Sequence, residues 1–468
     1  MARLTPDPTF YASPSDAASA PAETHAYVVA LNTGTNGDRA PDALTVLDLE
    51  EGSPTYGQLV GRLDMPNVGD ELHHFGWNAC SSALCPWAPH PHLERRYLLI
   101  PGLRSSQIHV VDVKDDPHAP KIVKVIEADE VARKSGYSRP HTIHCGPDGI
   151  YVSALGDPEG DGPGGIFLLD HDDFSVKGAW EQDRGPQQLA YDFWWHPHHG
   201  TVLTSEWDTR NMADHGLQPD LLLRNQYGHT LHIWDMEKRT HVQEIDLGAE
   251  HQMVLELRPA HDPRKAYGFV GVVASTADLT ASVWLWERTE DGSFKAEKVI
   301  TIPPEPAETE QLPPALQPFG AVPPLVTDIA LSVDDQSLVV SCWGPGELKR
   351  YDVSDPHNPR ETGSVRLGGI VERAAHPASG PLNGGPQMVE LSRDGKRVYL
   401  TNSLYASWDA QFYPDGIDGW LVKLDAGDDG SLTVDPDVFV EYSGERPHQV
   451  RLEGGDASSD SYCFPNAA

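Results

Sequence analysis

Gln107–Val113 reads QIHVVDV and Thr230–Met236 reads TLHIWDM: each is an alternating run that ends at an aspartate. Period-two alternation of apolar residues marks a strand with one face on a core. The same unit recurs as Ala43–Glu50 (ALTVLDLE), Gly165–Asp170 (GIFLLD), Ala281–Glu287 (ASVWLWE), Glu347–Val353 (ELKRYDV) and Gly419–Asp425 (GWLVKLD). A polar turn follows each, as in Asp115-Asp116-Pro117, and then a further strand, which makes a hairpin. Between these hairpins lies a second pair, an apolar strand, a turn near Pro-Asp-Gly or Asp-Gly-Lys, and a short buried strand. Examples are His141–Leu155, Leu325–Trp343 and Pro386–Leu404, with further copies starting near His73, Ala190 and Gln252. The seventh begins at Pro447-His448-Gln449-Val450, and its partner is Tyr27–Asn32 at the other end of the chain.

Seven four-stranded units of this kind predict an all-β fold, a seven-bladed β-propeller closed by strand exchange between the N- and C-termini. Closure removes free sheet edges, and each unit needs neighbours to bury both of its faces. The expected organisation is an N-terminal extension in loop over residues 1–25, a single propeller over 26–460 and a tail over 461–468. Asp208–Asn225 and the Pro-rich Pro303–Pro324 read as long loops between strands.

Composition agrees with many short strands and many turns. The chain has 468 residues with 42 Gly and 40 Pro, 39% hydrophobic and 22% charged. Its net charge of −35, from 70 acidic and 35 basic residues, repels phosphate backbones and anionic lipid, so neither nucleic acid nor a membrane is an expected partner. No stretch approaches the roughly 18 apolar residues of a membrane helix, and Met1–Thr24 lacks the pattern of a secretory signal. Five Cys are too few and odd in number for a disulfide scaffold. The expectation is a soluble cytoplasmic protein.

The histidines narrow the chemistry. Of 22, many fall in loops, among them His90, His92, His118, His357 and His376. Others fall where the repeat places the innermost strand of a blade: His73, His74, His141, His144 and His448. Innermost strands line the central channel, so residues remote in sequence converge on one axis. Three or four neutral imidazoles suit copper, zinc or iron. Residues three apart on a strand face opposite ways, so at most one of His141 and His144 faces the axis unless the strand begins between them. The same holds for His73 and His74 unless their segment is a loop at the channel mouth. Asp192, Gln252, Asp328 and Gln387 occupy equivalent starts.

Other chemistry finds little footing. Cys145 and Cys342 lie in apolar strands and read as small core residues. Cys80 and Cys85 flank a turn soon after His74 and leave a redox or soft-metal role open. Gly160–Gly165 (GDGPGG) lies between strands and reads as a turn rather than a phosphate cradle. The aspartates of Asp157–Asp161 lack EF-hand spacing, and no Gly-x-Ser-x-Gly elbow is present.

The sequence resembles the selenium-binding protein family, whose members include methanethiol oxidases. The resemblance rests on Asp64–Asn67 with Asp70–Asn78 (DELHHFGWN), Arg104–Asp112, Lys121–Glu127, Tyr191–Trp194 and Thr204–Trp207. It continues in Gly384–Met388, Ser403–Pro414 (SLYASWDAQFYP) and Gly454–Asp456, and so spans nearly the whole chain. It implies copper-dependent oxidation of methanethiol by dioxygen and water to formaldehyde, hydrogen sulfide and hydrogen peroxide. The family's histidine motifs fall on His73, His74, the His141/His144 pair and His448, the residues that the repeat puts on the axis. Copper would then be held by His73, His74, His448 and one of His141 or His144. Glu206, Asp192 and Asp328 are candidate proton carriers, and Trp77 and Trp207 candidate walls of a small apolar pocket. Two departures stand out: Gly57 follows Tyr56 where animal relatives have Cys, and Cys80 and Cys85 are spaced wider than the family's close pair. The rival expectation is a non-catalytic propeller, a metal- or selenium-binding or protein-interaction platform, which needs no cluster of axial imidazoles. A lactonase-type hydrolase would lean on carboxylate and amide ligands instead.

Overall fold

A computed structural model describes residues 7–11, 14–32, 40–79, 92–262, 264–371, 375–376 and 380–458 of the chain. These residues build seven four-stranded antiparallel sheets, a seven-bladed propeller. Every one of the seven repeat segments forms the third strand from the inside of its sheet: Ala43–Asp48, Ile108–Asp112, Gly165–Leu169, Thr230–Asp235, Ala281–Arg288, Glu347–Asp352 and Gly419–Ala426. The sheet that holds both ends of the chain runs from Glu445–Leu452 on the inside through His25–Asn32 and Ala43–Asp48 to Leu59–Asp64. Its inner pair is antiparallel, with Val28 opposite Val450 and Ala30 opposite Pro447.

Burial grades outward as the repeat requires. Inner strands such as Ser138–Gly146 and Glu445–Leu452 are covered by neighbouring sheets on both faces and are buried almost throughout. Outermost strands such as Thr240–Asp246 and Arg360–Arg366 alternate between exposed and part-buried residues. All seven outermost pairings carry a register shift, for example between Ile233 and Trp234 or Val283 and Trp284. A bulge at that place increases the local twist of the blade. The core lies between adjacent sheets: Val29, Leu44 and Val46 of one pack with Trp77, Leu98 and Ile100 of the next.

Two segments expected as loops contain short elements. Within Asp208–Asn225 the chain forms helices at Arg210–His215 and Pro219–Leu223; the Thr209 side chain caps the first by accepting from the Met212 N–H, and Pro219 opens the second. Within Pro303–Pro324, Glu305–Pro306 pairs with Ala321–Val322, and single helical turns form at Thr309–Gln311 and Gln317–Phe319. The N-terminal extension includes one short helix, Pro14–Ser19, whose Ala17 is buried. Among the described residues no helix is long and apolar enough to cross a membrane.

Candidate metal centre

Three segments deliver the axial histidines. His73 and His74 precede the two-residue strand Gly76–Trp77, and their own backbone is irregular. Glu71 is left-handed (φ 52°), Leu72 makes only an isolated bridge to Gly102, and the His73 N–H donates to the Pro101 carbonyl at 3.0 Å. Freed from strand alternation, both adjacent imidazoles reach the same cluster. Gly76 lets this segment lie against the next inner strand, because a Cβ there would stand 2.1 Å from the Ile143 carbonyl oxygen. His141 comes from Ser138–Gly146, whose pairing shifts register between Pro140 and Ile143. His448 comes from Glu445–Leu452, the strand that completes the first sheet.

Nitrogens of His73, His74 and His448 lie within 4.8 Å of one another, and all three residues are buried. The His141 ring packs against those of His73 and His74, with centroids 4.8 and 4.2 Å away. Among the described residues, both nitrogens of His73 and the Nε2 atoms of His74 and His448 have no hydrogen-bond partner. A buried imidazole nitrogen without a partner is costly and calls for a ligand. The remaining nitrogens are held from behind. His448 Nδ1–H donates to the Ser403 carbonyl at 2.8 Å, which leaves its Nε2 lone pair facing the cluster. His74 Nδ1 lies 3.5 Å from Glu256 Oε1 and 3.5 Å from Thr142 Oγ1. His141 differs: its Nδ1 is 2.9 Å from Thr142 Oγ1 and its Nε2 2.9 Å from the Tyr405 hydroxyl.

Burial, and then mutual repulsion between the rings, holds His73, His74 and His141 well below the ordinary imidazole pKa; burial takes His448 down to about 4. All four are neutral at pH 7, the form that ligates a cation. The donor set, three buried nitrogens with backing groups, fits copper or zinc.

The other candidates stand elsewhere. His144 turns to the far side of its strand, its ring 4.0 Å from that of Trp194 and its Nε2 4.0 Å from Asp192 Oδ1. Asp192 and Asp328 brace adjacent sheets. Asp192 accepts from the Phe193 and Leu257 N–H groups at 2.8 Å each. Asp328 accepts from Ile329 at 2.7 Å and Val389 at 2.8 Å. Arg258 lies between them, 3.5 Å from Asp192, 3.0 Å from Asp328 and 3.1 Å from Glu256. Burial pushes Asp328 up to about 8 against the pull of Arg258. Glu206 faces Thr230 and His232, the latter at 3.1 Å, and not the axial histidines. Trp77 packs edge-on to Tyr27 at 5.7 Å within the core. Cys145 and Cys342 are buried, and Cys80 and Cys85 lie outside the described residues.

Sequence reasoning named Trp207 as a pocket wall, and it lines the cage, but it missed the tyrosines of that side. The Tyr405 ring stacks on His73 at 4.3 Å and on Trp207 at 4.6 Å, while the Tyr191 ring lies 4.4 Å from His141. Trp207 and Trp408 join these tyrosines around a small apolar cage. Tyr191 and Tyr405 both lie in runs that carry the family resemblance, and that was the available signal. Glu256, in the strand His251–Pro259, had none.

Comparison with known proteins agrees with this architecture. Residues 4–463 match the 56 kDa selenium-binding protein family. A methanethiol oxidase of Xenopus laevis is 39% identical over 482 residues, covering 96% of this chain and 97% of that protein. The methanethiol oxidase of Homo sapiens is 39% identical over 484 residues with the same coverage. A solved structure, a hypothetical selenium-binding protein from Sulfolobus tokodaii, has a TM-score of 0.95 and 55% identity, over 98% of this chain and all of its own. In sequence from end to end and in the arrangement of its blades, this chain belongs to the selenium-binding protein family.

Proposed function

We propose that the chain is a copper-dependent oxidase of small thiols, converting methanethiol, dioxygen and water to formaldehyde, hydrogen sulfide and hydrogen peroxide. The observation that carries this is the cluster of His73, His74 and His448, whose buried nitrogens lie within 4.8 Å of one another. The names of the relatives, methanethiol oxidase in frog and human, support the substrate. His73, His74 and His448 would hold the ion, with His141 beside them. Bound copper supplies one-electron redox chemistry and a soft site for thiolate sulfur.

The chain's own residues do the rest. Burial keeps the imidazoles neutral. Ser403 fixes the outer nitrogen of His448, and Thr142 Oγ1 and the Glu256 carboxylate, each 3.5 Å away, face the outer nitrogen of His74. The Tyr405 hydroxyl donates to His141 Nε2 at 2.9 Å, which holds both groups in place beside the cluster where the thiol would bind. Asp192 and Asp328, with both oxygens of each taken by backbone N–H groups, serve as braces in this scheme. Burial of the whole cluster keeps bulk water from the reacting sulfur. A cytoplasmic setting, where thiols stay reduced, suits the buried Cys145 and Cys342.

Copper per chain and hydrogen sulfide release from methanethiol, measured on one purified sample, test the proposal. Near-stoichiometric copper with thiol-dependent oxygen uptake is expected, and His74→Ala should lose both. Full turnover in His74→Ala, or none in copper-loaded wild type, would overturn it.

A further inference from the structure

The hairpin that joins the two inner strands of one blade carries a second group of imidazoles. His196 ends the innermost strand and faces Thr201 across the hairpin, and Pro197–His199 makes a single tight helical turn between them. Residues three apart in such a turn lie one above the other, so it brings His199 round onto His196. Their ring centroids are 4.7 Å apart, and the ring of exposed His198 lies 5.0 Å from that of His199. Two imidazoles that share an ion at 2.0–2.1 Å have centroids about 4.5–5.2 Å apart. His196 is 1% exposed, and neither of its nitrogens nor Nε2 of His199 has a hydrogen-bond partner among the described residues. Bare buried nitrogens of this kind call for a ligand. The Lys265 backbone faces the His196 ring without closing a regular hydrogen bond. Burial, helped by repulsion between the neighbouring rings, keeps His196 and His199 neutral at pH 7, the form that ligates. Beside His199, Gly200 has nothing within 4 Å of where a Cβ would stand, which leaves open space at the turn.

We propose that His196 and His199 hold a second metal ion, a divalent one that takes nitrogen ligands such as Zn2+, with water and the rim imidazole of His198 completing its shell. The five residues from Tyr191, beside the axial cluster, to His196 span roughly 15 Å of extended chain, so the two sites are separate. This inference does not depend on the thiol-oxidase reading. An ion there ties the hairpin turn to the end of the innermost strand and gives the bare nitrogens a partner. It also draws the other N–H of His196 toward the Lys265 carbonyl, the usual support of a ligating imidazole. With Asp335 near His196 already paired to Lys265 at 3.1 Å, and Arg288 near His199, the site offers imidazoles and no free carboxylate. It therefore takes zinc or copper rather than calcium or magnesium.

The test titrates Zn2+ calorimetrically into the chelator-stripped full chain. His199→Gln, at a half-buried turn position, should bind one Zn2+ fewer per chain than wild type while melting at the same temperature without metal. The same loss should appear when His199→Gln is added to His74→Ala, which separates this site from the axial one. Zn2+ should also raise the melting temperature of His74→Ala, and that rise should vanish in the double variant, because an ion that binds only the folded chain stabilises it. Equal Zn2+ counts in wild type and His199→Gln would overturn the proposal. So would a count that falls with His74→Ala and not with His199→Gln, since every bound ion would then belong to the axial cluster. If the axial histidines take no metal, the count still falls with His199→Gln alone, and the second site stands without the first.

Discussion

Glu256 Oε1 stands 3.5 Å behind Nδ1 of His74, while its Oε2 meets Arg258 at 3.1 Å. The contact is one of charge rather than a hydrogen bond, and a carboxylate there favours a proton on Nδ1 and so raises the basicity of the nitrogen on the other side. Glu256→Gln keeps the shape and removes the charge. It should weaken copper affinity by about 10–100-fold, read by competition with a chelator. An unchanged affinity would show that Glu256 has no hold on His74.

Arg258 is the shared cation of Asp192, Glu256 and Asp328. Asp328, pushed up to about 8, and Asp192, raised by burial, can stay protonated, but Glu256 loses its cation, so Arg258→Met should cost about 3 kcal/mol of stability. Urea unfolding measures the loss. A change under about 1 kcal/mol would mean that these carboxylates already hold protons in the folded chain.

His196, at the inner end of Phe193–His196, is buried, and burial followed by repulsion from His199 lowers its pKa to about 3. Unfolded, it takes up a proton near 6.5, so stability is complete above that pH and falls as pH drops from 6.5 toward 3. The slope from this group approaches about 1.4 kcal/mol per pH unit. His196→Gln should flatten urea midpoints between pH 6 and 4 without levelling them, since His448, depressed to about 4, titrates in the same direction. Identical pH profiles for the two proteins would contradict the assignment.

Gly57 has φ 75°, and a Cβ there would stand 1.9 Å from the Asp437 carbonyl oxygen. Gly57→Cys and Gly57→Ala should therefore lose stability together, by about 1–3 kcal/mol or more from the backbone strain alone. Thermal unfolding compares them. A cysteine variant as stable as wild type would show that the 435–438 segment moves aside freely.

The blades were legible because each repeat encodes its own hairpin: the alternation in Thr230–Asp235 or Glu347–Asp352 and the turn after it are local facts. The axial placement of His73, His74 and His448 followed from that register. Which way each ring turns did not, because it depends on irregular backbone: the left-handed Glu71 lets His73 and His74 share one side, and the register shift after Pro140 accompanies the opposed His141 and His144. Glu256 and Tyr405 were beyond reach for another reason. Each meets its histidine across a blade boundary, through contacts between residues that no local pattern links. The caps that turned Asp208–Asn225 helical were in the sequence, at Thr209 and Pro219, but lay within a stretch short of strand signals.

His448 leaves the ribosome well after His73, on the strand that pairs with His25–Asn32. At about 5–20 residues per second, tens of seconds of synthesis separate the two. From His141 onward the growing polypeptide carries three of the four imidazoles on an arc that has not met itself. The full cluster therefore forms only once the strand that carries His448 has joined His25–Asn32, and loss of that strand would abolish the ring and its centre in one event.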